Sequence, residues 1–115
     1  MEKTIRIGNV DVRLKCTAAT PMAYRMQFGT DIFHDIVKIQ GLQEAGIGEG
    51  IGEGIGTMNQ IAYVMAKQAD SGIPDFGDWL DQFGMADIMG AAGDILGLWG
   101  SNMVTEAKSK KKPGA

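Results

Sequence analysis

His34 is the only imidazole in the chain and lies between Asp31 and Asp35, where a carboxylate could orient a general base or join it on a metal. A metal site normally asks for more nitrogen or sulfur ligands than one histidine supplies. Asp31 reads more simply as a helix N-cap and Asp35 as part of a solvated face. Cys16 is the only cysteine and sits in a strand-like run, where a small buried thiol is expected. Asp75, Asp78 and Asp81 recur at helical spacing without a basic or metal-binding complement, and no nucleophile lies in a recognisable elbow. The glycines of 46–56 occupy even positions only, so the phosphate-cradling pattern G-x-G-x-x-G never occurs there. This inventory predicts a binding protein and not an enzyme, with no catalytic residue, cofactor or metal.

The remaining chemistry is apolar docking. Eight methionines among 115 residues suit an adaptable core and an adaptable surface equally. The candidate anchors for a helix laid in a groove are Tyr24, Phe28, Tyr63 and Trp99. Ile47, Ile51 and Ile55, held in the glycine-rich interval, are a second candidate docking set.

The elements that must carry these residues are legible from spacing. Thr4–Ile7 and Val10–Lys15 alternate apolar with polar residues around Gly8-Asn9, which predicts a β-hairpin over 4–15 with a two-residue turn. Thr20-Pro21 reads as N-cap and first turn of a helix ending at Gly29, with Met22, Tyr24, Met26 and Phe28 as its apolar pairs. Thr30 or Asp31 caps a second helix to about Gly41 through Ile32, Phe33, Ile36, Val37 and Ile39. Thr57-x-x-Gln60 fits a capping box for a third, which Ser71-Gly72-Ile73-Pro74 ends. A short helix with Phe76, Trp79, Leu80 and Phe83 follows, then a last one from Met85 to Met103.

Six glycines in 46–56 would cost a helix on the order of 5 kcal/mol, so a flexible loop is expected over 41–56. Gly90, Gly93 and Gly97 weaken the last helix too; close approach of a neighbouring helix is the expected compensation. A helix that repacks when a partner docks is the alternative. The sum is a mainly α protein with an N-terminal β-hairpin (α+β): one domain over 1–107, with a helical body over 20–103 of about five helices, and a disordered basic tail over 108–115.

Charge separates along the chain. Residues 1–40 carry +2, residues 41–107 carry −9 and the tail carries +4. So acidic a body repels phosphate backbones, which argues against nucleic-acid binding and for a solubilising face or attraction to a basic partner. No run of 18 apolar residues occurs, and MEKTIRIG lacks the apolar stretch of a signal peptide, so neither a membrane span nor export is expected.

Three blocks carry a family resemblance: TPMAYRMQFGTD at 20–31, IAYVMAKQAD at 61–70 and WLDQF at 79–83. With the preceding hairpin they resemble the small tail assembly chaperones of long-tailed, siphovirus-type phages and prophages of Gram-positive bacteria, in the patterns Y-R-x-x-F-G-x-D, I-A-Y-x-M-A-K-Q-A-D and W-L-D-Q-F. The resemblance runs from Ile5 to Lys112 and is broken at 41–56. It implies binding to the tape-measure protein, which is kept soluble while the tail tube assembles around it. It also implies self-association, residence in the host bacterial cytoplasm and absence from the mature virion. The family commonly makes a longer product by frameshifting, and Lys110-Lys111-Lys112 is a possible adenine-rich slip site. A structural tail or head–tail connector component of the virion, or a small host-directed regulatory binding protein, are the rival readings.

Overall fold

Alternating residues build the hairpin as expected: β1 (Glu2–Ile7) pairs antiparallel with β2 (Val10–Lys15), Ile5 opposite Val12 and Ile7 opposite Val10. The computed structural model describes residues 2–45 and 51–111, and side-chain surroundings over 2–41 and 53–101. Only Gly8 of the turn pair takes a positive φ, 59°, and its Cα lies so close to Asp87 that an added Cβ would stand 2.5 Å from the Oδ2. Ile5, Ile7, Val12, Leu14 and Cys16 bury the inner face. Outside, Arg6 pairs with Asp11 opposite it at 3.2 Å, an exposed contact of small energetic weight.

The first helix, α1 (Thr20–Phe28), begins one residue earlier than expected, with Ala19 at the N-cap. Thr20 is fully buried, and its hydroxyl ties the segment before α1 to Gln68: it accepts the Thr17 N–H at 2.9 Å and donates to Gln68. Gly29 ends the helix in the left-handed conformation (φ 77°), its N–H reaching Arg25 O at 2.8 Å. Asp31 then caps α2 (Ile32–Ala45) by accepting the Phe33 N–H at 2.8 Å.

The loop expected over 41–56 is corrected on both sides. Residues 41–45 extend α2, and α3 (Ile51–Ala69) starts inside the glycine repeat, ahead of the Thr57 capping box; residues 46–50 lie outside the described residues. Three glycines of the repeat, 52, 54 and 56, fall within α3 and cost it about 3 kcal/mol. The offset comes from packing: Gly54 is buried, Ile55 half-buried, and Glu53 pairs with Lys38 of α2. Behind it Met58 and the whole run Ile61–Ala66 are buried, and each fully buried large side chain contributes about 1.5–3 kcal/mol.

α3 is the central element. It packs against β2, α1 and α2, and against the shorter α4 (Phe76–Leu80) and α5 (Asp87–Gly90). The expected single helix over 85–103 is two, α5 and α6 (Ala92–Lys111), broken at Ala91. α6 is drawn through Lys108, Lys110 and Lys111 at the start of the expected tail; residues 112–115 lie outside the described residues. Close helix approach across Gly90, Gly93 and Gly97 is overturned as well, since an added Cβ at any of them meets nothing within 4 Å. Among the described residues no helix is long and apolar enough to cross a membrane.

Candidate partner-binding surface

The aromatic residues sort into a ladder and a pair. Tyr24, Phe28, Phe76, Tyr63, Trp79 and Phe83 follow one another at centroid separations of 5.0–5.4 Å, joining α1, α3, α4 and the segment after it. Edge-to-face and tilted rings at such distances add about 0.5–1.5 kcal/mol per pair to the burial itself. Phe33 of α2 covers Trp99 of α6 edge-on at 5.2 Å. Of the anchors expected from sequence, Tyr24, Tyr63 and Trp99 are therefore buried core residues and Phe28 is half-buried. Their polar ends explain the placement: Tyr63 donates its hydroxyl to Pro74 O at 2.9 Å, and Tyr24 is bound as described next. Ile47 lies outside the described residues; Ile51 opens α3 and its side chain lies outside them; Ile55 is half-buried on α3.

Asp35 is the polar centre that sequence reading placed on a solvated face. It is buried, and its Oδ2 accepts the Tyr24 hydroxyl at 2.6 Å and the Thr30 hydroxyl at 2.9 Å. Gln60 Oε1 lies 3.0 Å from the same phenol, which ties α1, α2 and α3 at one point. Burial and, next, the Asp35 hydrogen bond push the Tyr24 phenol well above its ordinary value of 10, so the hydroxyl stays protonated and donating. The available signal was the register: position 35 falls on the face of Ile32, Ile36 and Ile39. His34, its neighbour, stays exposed with Nδ1 3.6 Å from Asp35 Oδ1. Burial likewise raises the Cys16 thiol. Among the described residues no group of three or more His, Cys, Asp or Glu side chains is placed to hold a metal ion.

Among the described residues the exposed large apolar side chains are Met22, Met26, Phe33, Val37 and Met85. Scattered exposed hydrophobics are ordinary, so position decides whether they mean anything. Met22 and Met26 are one turn apart on α1, at 63% and 80% exposure, opposite the Thr20–Tyr24 face that packs on α3. Phe33 and Val37 repeat the spacing on α2, which packs beside α1 and turns Ile32, Ile36 and Ile39 inward. Two adjacent helices thus each carry an exposed i, i+4 apolar pair, Phe33 also packing on Trp99. Methionine is the side chain best able to repack against different apolar partners. Sequence reading missed this pairing because 3.6-residue periodicity marks apolar positions without saying which of two apolar faces is covered.

No protein-family model matches the chain, and no curated protein or solved structure is significantly similar to it.

Proposed function

We propose that this chain is a tail assembly chaperone of a long-tailed phage or prophage of Gram-positive bacteria. It binds the tape-measure protein in the host cytoplasm, keeps its apolar helical segments from aggregating while the tail tube assembles, and leaves before the virion matures. It acts with further copies of itself and with a longer frameshift product. The reading rests on the three sequence blocks at 20–31, 61–70 and 79–83. Most of the residues in those blocks do structural work: Tyr24 and Trp79 are core, Gly29 takes the left-handed cap, Asp31 caps α2 and 61–66 are the buried centre of α3. The blocks therefore speak to a shared fold, from which function follows by analogy.

The observations in the structure that support the reading are the exposed pairs Met22–Met26 on α1 and Phe33–Val37 on α2, two helices in contact. Apolar pairs at i, i+4 on neighbouring helices are suited to burying the apolar stripe of a partner helix. Fluorescence anisotropy of labelled helical segments of the tape-measure protein tests this. Saturable binding to apolar amphipathic segments, lost on replacing Met22 and Met26 by serine, is the expected result; failure of every segment to bind would overturn it.

A further inference from the structure

A cleft of about 520 Å³ runs along β2, on the far side of the molecule's hairpin from β1. Its lining includes Asp11 and Arg13 from the outer face of the strand and Val10 and Val12 from the inner face, and no residue of β1, which places it at the free edge of β2. The opposite wall is the end of α3, the segment after it and the later half of α4, with Ile73 supplying apolar surface.

The backbone along that edge is open. A two-residue loop makes Ile7 and Val10 a hydrogen-bonded pair, and the alternation of an antiparallel ladder makes Ile5 and Val12 the next. Asp11 and Arg13 then point their N–H and C=O groups away from β1, and no backbone hydrogen bond reaches them among the described residues. An exposed strand edge of this kind is a template for an added strand.

The charges around it select what is added. Asp70 and Asp78 line the far wall, and neither has an ion-pair partner among the described residues. The guanidinium of Arg13 is already engaged by Ala69 O and by Glu2 at 3.4 Å. We propose that the edge of β2 binds an extended, lysine- or arginine-bearing polypeptide segment of a partner as a third strand, with the cations on one of its faces toward Asp70 and Asp78. A second copy of the hairpin fits less well, because its β2 carries its own α3 and α4 along the same edge. This site is separate from the Met22–Phe33 surface and does not depend on it.

The test is amide hydrogen exchange of the full chain with a capped octapeptide alternating valine and lysine, beside its valine–glutamate counterpart. The lysine peptide is expected to slow exchange at Asp11 and Arg13, and N-methylation of its amides on one alternate set, but not on the other, is expected to abolish the effect. The conservative pair D70N and D78N, which keeps the Asp70 acceptor for the Gly72 N–H, is expected to weaken binding roughly 3- to 10-fold, as added salt does. No protection at Asp11 and Arg13, equal binding of the glutamate peptide, or indifference to which amides are methylated would each overturn the proposal. Protection that appears on concentrating the protein alone would overturn it in favour of a second copy.

Discussion

Replacing Gly97 and Gly100 by alanine is expected to stabilise the protein. Both lie inside α6, and an added Cβ at either meets nothing within 4 Å, so neither glycine is required by a close neighbour. Gly97 is exposed and Gly100 half-buried, and neither has a positive φ. Each glycine inside a helix costs about 1 kcal/mol relative to alanine through backbone entropy, so the double variant gains about 2 kcal/mol. For a chain of this size that raises the thermal midpoint by roughly 8 °C. Circular dichroism melts and urea titrations of the single and double variants measure it. An unchanged or lowered midpoint would refute the reasoning, because it would mean that α6 meets a neighbour there or gains nothing from helix propensity. The same variants address why the glycines are present. If α6 only needs to be helical, they bind partner as the parent does; if it must repack on docking, they are more stable and bind less well.

Tyr24→Phe removes a buried donor to Asp35 and is expected to cost about 1.5–3 kcal/mol by urea denaturation, an unchanged midpoint being evidence against the Asp35 centre. The phenol is raised in the folded state, so its contribution is fully present below the unfolded value of about 10 and is lost as pH climbs beyond it. The parent should therefore lose stability above pH of about 10 more steeply than Tyr24→Phe, and parallel alkaline profiles would contradict the assignment. Met22→Ser with Met26→Ser should shift stability by no more than about 0.5 kcal/mol while weakening partner binding, since both side chains are exposed. Gly8→Ala should cost about 1–2 kcal/mol for the positive φ alone, and a neutral melt would show that the turn and Asp87 readily give way.

Local rules carried the parts of the fold that local chemistry decides. The hairpin, the Gly29 cap, the Asp31 cap and the break at 71–74 depend on neighbours within a few residues. The start of α3 does not. Its glycines argue for a loop when weighed alone, and the burial of Gly54 and of the run behind it, which only the tertiary structure supplies, reverses that balance. The same holds for the candidate surface. Tyr24, Tyr63 and Trp99 look like anchors because aromatic rings with polar ends suit interfaces, yet Pro74 O, Asp35 and Phe33 meet them inside the fold. Asp35 reads as solvated until Tyr24 and Thr30 are seen to cover it. What sequence could not separate was the covered from the uncovered half of α1, where Tyr24 and Phe28 turn in while Met22 and Met26 turn out.

The most direct measurement of the proposed function is co-expression of this chain with its proposed partner, a phage tape-measure protein, scoring how much of the long protein remains soluble and co-elutes. A soluble complex that is lost when Met22 and Met26 are replaced by serine is the expected result. A tape-measure protein that aggregates beside a free, folded chain would contradict it.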